Sequence, residues 1–448
     1  MGDLVKAVRS ESNMFAAWRH VKKSALNSGS PEIKGAAARF EHQHQRYIRR
    51  YIRELQQGKF VFDKVEGVLA DKEKREKAQK DPRPIAIATL KNRLVQRAIL
   101  QILQPRKARD TSEVDPRFLT VTNPALGKIN AVNSSEFGVG GLIKPHGGVE
   151  QAINLIMSAM SQGARLFYRS DIKGFFNDIP QEPVVEFVRN ETGDDELADL
   201  FANGLDVQLA NADQLDGYAD LFPSNGRGVA QGSSLSAFAG NVLLYEMDHE
   251  INSLDVGVTA VRYIDDIMIV ADTQERLNAS VSLAKLKLGG MGFELYEPTE
   301  SADKAETGKC SDGFGFLGCT LHPKSCSPSS ASVKRVIGDA EETLSKSQGA
   351  IKRFKDKGGI FPSEQSPSSV LYALGKKLYG WQKSFAFCDD ITSFQYLDER
   401  IAKRVEKYNQ IVGRHTRGLV PSEKAKVYGI PSTAEMSCAK GWNTSAAS

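Results

Sequence analysis

Three aspartates stand where they could hold divalent cations. Asp171 ends the apolar run that begins at Leu166, and Asp265 and Asp266 lie inside another, Ala260–Val270. Apolar residues on either side of a central Asp-Asp form the pattern of a β-hairpin whose turn carries the acids. On adjacent strands the two segments would present carboxylates together, with the backbone carbonyl of Ile172 one residue past the first acid. Mg2+ suits such hard oxygen donors, because it takes a few carboxylates and keeps water and substrate oxygens for its other positions. Two such ions about 4 Å apart can activate an attacking hydroxyl and stabilise the oxyanion leaving phosphorus. An Asp-Asp by itself is more often a solvated turn, so the reading rests on the order and company of the motifs.

The elements that must position these acids can be read from periodicity. Residues 1–58 are expected to be helical, with Tyr47, Ile48, Tyr51 and Ile52 on one face of an arginine-rich run at 46–53. That face suits either packing on the core or contact with RNA. Lys59–Phe62 reads as a short strand and Asp71–Lys80 as a charged loop. Arg83–Ala88 reads as a strand running into a helix at Lys91–Leu103. Residues 104–150 look irregular, Glu150–Gln162 helical and Leu166–Ile172 extended. An acidic helical stretch spans 181–225. Ser233–Asn252 keeps the helical period through Leu235, Phe238, Val242 and Tyr245. A helix over 274–291 and a strand pair around Phe314–Leu321 follow. Val333–Arg417 reads as helical and basic, broken at Gly358–Pro362, and Thr444–Ser448 as a frayed end.

At 448 residues, 41% apolar and 25% charged, the chain can bury a sizeable core in several subdomains. Its net charge of +4 hides an uneven distribution: Lys and Arg against Asp and Glu number 25 to 12 over residues 1–110, 15 to 31 over 111–330, and 18 to 11 over 331–430. Basic flanks around an acidic middle suit a protein that grips a polyanion and holds cations at its centre. The five cysteines form no CxxC pair. Their odd number argues against a disulfide framework, their spacing against a structural zinc site, and both fit a reducing cytoplasm. No signal-peptide core or membrane-length apolar stretch is visible.

Taken in order, the motifs resemble the reverse transcriptase family over roughly residues 80–325. Ser170-Asp-Ile-Lys-Gly-Phe-Phe176 resembles the family's first catalytic motif, Arg227-Gly-Val-Ala-Gln-Gly-Ser-Ser-Leu-Ser236 its second, and Tyr263-Ile-Asp-Asp266 its Tyr-x-Asp-Asp box. Phe316-Leu317-Gly318 resembles the primer grip. Arg83-Pro-Ile-Ala-Ile-Ala88 and Asn92-Arg-Leu-Val-Gln-Arg97 resemble the fingers segment of bacterial members. The resemblance implies an α+β right-hand polymerase: an N-terminal helical region (1–58), fingers (59–165), a palm with an antiparallel sheet (166–325), and a helical thumb with C-terminal extension (326–448).

It also implies roles. Asp171, Asp265, Asp266 and the Ile172 carbonyl would hold two Mg2+ ions, with Mn2+ a possible substitute. Arg83 and Arg93 would meet the triphosphate of the incoming dNTP. Gln231 and Gly232 would approach nucleotide and template, and Phe176 would be the steric gate that excludes a 2′-hydroxyl. Lys304 would protonate the departing pyrophosphate. Lys383, Arg400, Lys403, Arg404 and Lys407 would hold the duplex backbone of template and DNA primer. Ala230, Ala88 and Asn92 depart from the family's usual proline, proline and aspartate, which puts loop geometry in doubt but removes no metal ligand. There is no visible ribonuclease H or HNH segment, and no Val-Thr-Gly triplet of the retron kind. The best match is the defence-associated, unknown-group kind of bacterial enzyme, which implies a dedicated non-coding RNA template and a role against phage. Retron-like and group II intron-type enzymes remain alternatives, as do an RNA-dependent RNA polymerase and an RNA-binding scaffold.

Overall fold

The computed structural model describes residues 2–28, 30–77, 81–107, 119–300 and 303–433; the frayed end read at Thr444–Ser448 lies outside them. The chain forms two compact units, Met1–Cys310 and Ser311–Ser448. No helix among the described residues is long and apolar enough to cross a membrane.

The first unit opens with the expected helices, among them Glu11–Leu26, Pro31–His42 and His44–Gln56. Met14, Trp18 and Ile48 are fully buried among them. Three local expectations fail. The acidic stretch read as helical over 181–225 is α-helical only at Gln181–Thr192 and Asp195–Leu205. Lys59–Phe62 is not a strand; strand β1 comes later, at Glu66–Ala70, and pairs antiparallel with β2, Arg83–Ile87. Phe60 and Phe62 instead turn edge-to-face and pack on the core, so their apolar alternation reports burial and not pairing. The charged stretch after Asp71 is also no simple loop. Lys72–Lys77 is helical, consistent with the good helix propensity of Lys, Glu and Arg.

The central sheet is antiparallel, in the order β4 (Val258–Tyr263), β5 (Asp266–Ala271), β3 (Leu166–Asp171), β6 (Ala305–Lys309). Helices Val149–Ser161, Ser236–Ser253 and Gln274–Gly290 contact it. Along β5 every residue from Ile267 to Ala271 is buried, as expected of a central strand covered on both faces. The irregular stretch contributes too. Phe137–Val139 runs along β4, with Arg262 N–H donating to Phe137 O and Val139 N–H to Arg262 O, each at 2.9 Å. A Cβ on Gly138 would collide with the carboxylate of Asp248 and the guanidinium of Arg262, so only glycine fits there.

Arg262 and Asp248 form a buried ion pair, 2% and 4% exposed respectively. Arg262 donates through Nε and Nη2 to Asp248, and through Nη1 to Asn241 Oδ1 at 3.2 Å and Ile264 O at 3.0 Å. Burial pushes the Asp248 carboxyl above its usual range while Arg262 opposes the rise, so the charges are tolerable only together.

In the second unit, β7 (Phe314–Phe316), β8 (Cys319–His322) and β9 (Ser325–Pro328) form an antiparallel sheet, one strand more than the pair expected. Helices Ser330–Lys357, Pro367–Ser384 and Ile391–Thr416 follow, with the interruption at Gly358–Pro362 as read from sequence. Their core includes Leu344, Ile351, Leu374, Leu397 and Val412, and a fully buried Tyr408 whose hydroxyl hydrogen-bonds Ser347 Oγ at 2.7 Å. Cys319, Cys326 and Cys388, the last far from the others in sequence, place their Sγ atoms within 4.8 Å of one another.

Asp248→Ala is expected to destabilise the first unit by about 3–5 kcal/mol by stranding the Arg262 charge, and Asp248→Leu/Arg262→Met to recover at least about half of that loss. Chemical denaturation of the three proteins checks this; equal stability of the single variant and wild type would contradict it.

Candidate active site

The acids meet because of sheet register. Strand β3 pairs with β5 so that Asp171 lies opposite Asp266, and β4 pairs with β5 so that Tyr263 lies opposite Asp266. Ile264 and Asp265 are therefore the two residues of the hairpin turn. Ile264 adopts φ 63°, a conformation that a β-branched residue takes only under constraint. The Arg262 Nη1 bond to its carbonyl supplies part of that constraint. Past the end of β3, Ile172 N–H donates to Asp265 O at 2.9 Å, tying the residue after the first acid to the turn. The Ile172 side chain is buried.

The electrostatics of the cluster are unfavourable to full ionisation. Burial pushes the Asp266 carboxyl up to about 8, with a hydrogen bond to Asp171 and the charges of Asp171 and Asp265 adding to the shift. Burial also raises Asp265, with Asp171 adding, against the opposing charges of Lys304 and Arg83. The Lys304 ammonium pairs directly with the Asp171 carboxylate. Lys304 is thus a cation against a cluster that has more carboxylates than cations, which is the donor set expected of a divalent-metal site. It also lies 6.0 Å from the ring centre of Tyr296.

Around the acids, the remaining motif residues of this unit fall in two groups. Gly174, at φ 59°, turns the chain into the short helix Phe175–Asp178. Phe175 is buried and its ring leaves no room for a Cβ on Gly240, whereas Phe176 is partly exposed. Val229 N–H donates to Phe176 O at 2.7 Å, and Gln231 Nε2 to Asn177 Oδ1 at 3.3 Å, so the 227–236 loop is fastened to the segment bearing Phe176. Gln231, Gly232 and Arg93 line one cavity of about 300 Å³. Arg83, on β2, is exposed, and its charge reaches Asp265. Asn92, one of the departures from the family pattern, is buried and binds the backbone of Asp63 in both directions, accepting from its N–H at 2.9 Å and donating to its carbonyl at 2.8 Å.

A cationic group around that cavity was not singled out from sequence. Arg97 is 8% exposed, its Nε has no hydrogen-bond partner among the described residues, and burial followed by the charge of Arg106 pulls it down to about 10. Loss of solvent around His20, with the charges of Arg97, Arg106, Lys23 and Arg93, drives its imidazole down to about 4. His20 and Arg97 both line the cavity with Arg93. Burial is the larger cause of that shift, and the neighbouring guanidinium groups add to it. Separately, a groove of about 1280 Å³ among the N-terminal helices is lined by Lys6, Arg9, Arg46, Arg49 and Arg53.

In the second unit, Phe316 is buried, and Leu317 and Gly318, at φ 47° and 80°, form the turn between β7 and β8. Lys383, Arg400, Lys403 and Lys407 are exposed on helices 367–384 and 391–416. Arg404 differs: it is half-buried and ion-paired to Glu341, so it braces two helices. The sequence reading also missed an exposed stripe on helix 367–384. Tyr372, Lys376, Tyr379 and Lys383 recur at helical spacing on one face, with the ammonium groups 5.0 Å and 5.4 Å from the centres of the Tyr372 and Tyr379 rings.

An antiparallel sheet with three carboxylates at one end, flanked by helices, is the palm of a template-directed polymerase. A family model for reverse transcriptase (RNA-dependent DNA polymerase) matches residues 72–321, and the chain belongs to the reverse transcriptase family. Its enzymes are nucleotidyltransferases, RNA-directed DNA polymerases that generally use divalent metal ions. No curated protein matches the sequence. Among solved structures, the chain is similar to apo telomerase from Candida tropicalis, at 11% identity and a TM-score of 0.41, covering 82% of this chain and 69% of that one. It is also similar to telomerase from Candida albicans in complex with a fragment of telomeric RNA, at 12% identity and a TM-score of 0.37, covering 80% and 64%.

The raised Asp266 carboxyl has a thermodynamic consequence. The metal-free native state keeps this proton up to about pH 8 while the unfolded chain loses it near the ordinary carboxylate value, so stability falls as pH rises through that window. With chelator present, Asp266→Asn is expected to flatten that decline and to melt about 2 °C or more above wild type at pH 8. Thermal melts of both proteins from pH 5 to 8 check this; a variant that melts lower at pH 8 would show that the carboxylates do not repel.

Proposed function

We propose that this chain copies RNA into DNA with Asp171, Asp265 and Asp266 as the ligands of two Mg2+ ions, Mn2+ being an alternative. The Ile172 carbonyl completes the protein's share of the ligands. The observation that carries the reading is the convergence of the three carboxylates across paired strands, with Lys304 against Asp171. When bound, the ions would lower the pKa of the primer 3′-hydroxyl and stabilise charge on the leaving pyrophosphate.

The chain's own residues do the rest. Arg93, with Arg97 and the neutral His20 in the same cavity, and Arg83, whose charge reaches Asp265, meet the triphosphate of a dNTP. Phe176 lies under the sugar and refuses a 2′-hydroxyl. Gln231 and Gly232, fastened to the Phe176 segment, bring backbone close to the nucleotide. Lys304 moves from Asp171 to the pyrophosphate and gives it a proton. We assign residues 1–58 to an N-terminal helical region, 59–165 to fingers, 166–325 to palm and 326–448 to thumb and extension. Phe316, Leu317 and Gly318 serve as primer grip, with Leu317 and Gly318 at the exposed turn. Lys383, Arg400, Lys403 and Lys407 hold the primer–template backbone, and Tyr372 and Tyr379 add aromatic faces to that surface; Arg404 positions its helix.

We further propose a bacterial enzyme of the defence-associated kind whose template is a dedicated non-coding RNA, held in part at the basic N-terminal groove. The resemblance of the motifs and the arginine-lined groove support this reading.

Primer extension on an RNA template is expected to show dNTP incorporation that falls at least about 1000-fold in Asp265→Ala/Asp266→Ala. Ribonucleotide preference in wild type would overturn the assignment. Phe176→Val is expected to admit ribonucleotides with dNTP use retained, and Arg93→Ala to raise the dNTP KM by about tenfold or more. Sequencing the RNA that copurifies from the host, and phage challenge of cells carrying wild type or the double aspartate variant, test the biological role; heterogeneous RNA and equal plaque counts would sink it.

A further inference from the structure

The second unit carries a cluster that polymerisation does not use. Cys319 lies on β8 and Cys326 on β9, and the register sets Leu321 opposite Cys326 and Cys319 opposite Pro328. Cross-strand partners share a face, as do residues two apart, so both thiols project from the same side of this hairpin. That side is buried. Cys388 comes from the connection between helices 367–384 and 391–416, sixty-two residues further on. The connection is pinned beside β9: Asp389 N–H and Asp390 N–H donate to Cys326 O at 3.1 and 3.3 Å, and Cys326 N–H donates to Asp389 Oδ1 at 2.7 Å. The three Sγ atoms lie within 4.8 Å of one another, and those of Cys326 and Cys388 are 3.5 Å apart.

Three arrangements could explain three converging thiols. Apolar packing would account for buried cysteines singly, but not for sulfur atoms from three separate chain segments aimed at one point. A disulfide would use two and leave the third without a role. Tetrahedral zinc, with Zn–S bonds of about 2.3 Å, places its sulfur ligands about 3.8 Å apart, within the spacing seen here. We propose that Cys319, Cys326 and Cys388 bind one Zn2+ ion as thiolates, with a solvent oxygen as the fourth ligand. Binding converts three thiols to thiolates and releases three protons to solvent. Solvent has a route, because Cys388 also lines a surface cleft of about 370 Å³ with Trp381, Ile391 and Phe394. Asp389 is not itself a ligand; by accepting from the Cys326 N–H it orients the ligand-bearing strand.

The ion would staple the β8–β9 hairpin to the junction of two long helices. Cys319 directly follows the Leu317–Gly318 turn, and Ser329 N–H, beyond β9, donates to Gly318 O at 2.8 Å, so the staple also fixes that turn. The proposal does not depend on the reading of the aspartates as catalytic, because no ligand is shared.

Elemental analysis of the full chain, purified under reducing conditions without chelator, is expected to find about one zinc per molecule in wild type, in Asp265→Ala/Asp266→Ala and in the Cys310→Ser control. Cys319→Ser, Cys326→Ser and Cys388→Ser are expected to lose it. Should those variants fail to fold, two wild-type measurements still decide. Metal-free wild-type protein titrated with Co2+ should develop thiolate charge-transfer absorption that saturates at about one equivalent, and zinc should protect Cys319, Cys326 and Cys388, but not Cys310, from alkylation. Absence of the cobalt band, equal alkylation with and without zinc, or a Cys326–Cys388 disulfide in the freshly purified reduced protein would overturn the proposal.

Discussion

The pairing of β3 with β5 in one register is the constraint on which the first unit depends. It places Asp171 opposite Asp266 and, through the Ile172–Asp265 bond just past the strand, sets the turn acid beside them. A slip of one residue would reverse the side to which every β3 side chain points, sending Asp171 away and Tyr168 and Ser170 into new surroundings. Burial of β5 along its length makes such a slip costly. The neighbouring hairpin needs more support, because its turn holds Ile264 in a left-handed conformation. Arg262 provides it from within the sheet, and Asp248 on the helix behind makes a buried guanidinium acceptable. Precision at the acid turn is thus anchored in a charge pair that never meets substrate.

That precision sets electrostatics against stability. Bringing three carboxylates together at a partly buried edge raises the proton affinity of Asp265 and Asp266, and one lysine does not balance the cluster. Arg93 and Arg97 show the opposite sign of the same device, beside a His20 that burial first and the nearby cations second keep neutral. On the proposed reading, the acidic edge and the arginine-bearing cavity of this unit would serve the two halves of a metal-complexed nucleoside triphosphate.

Much of this was legible in the sequence where local chemistry decides. The apolar flanks of Asp265–Asp266 fixed a hairpin, and the period from Leu235 to Tyr245 fixed a helix, because burial on one face leaves a pattern a few residues long. What failed was where tertiary context decides. Lys59–Phe62 alternates like a strand, yet its rings serve the core. Arg97 and His20 come together from two helices far apart in sequence, and the motif that ends at Arg97 gives no sign of His20. Arg404 carries the same charge as Lys403 and Lys407, and only packing shows that it is spent on Glu341. The convergence of the cysteines was not legible for a different reason: a hairpin presents two thiols and a helix junction sixty-two residues further on the third, so no local spacing records it.

Asn92 shows how a departure from a family pattern can be absorbed. The family's usual aspartate would bring only acceptors to the backbone of Asp63, and next to the Asp63 carboxylate it would add like charge. Asparagine supplies an acceptor for the Asp63 N–H and a donor for its carbonyl, closing the pair without charge. Asp63 is then free to accept from Thr89 Oγ1 and Lys91 Nζ at the start of helix Leu90–Leu103. The helix that carries Arg93 and Arg97 is therefore held at its first turn by the Asn92 bonds to the Asp63 backbone and by the Lys91–Asp63 ion pair, with no second carboxylate to oppose it. Asn92 is the residue type this local geometry requires, and the departure preserves the placement of the cations that follow it.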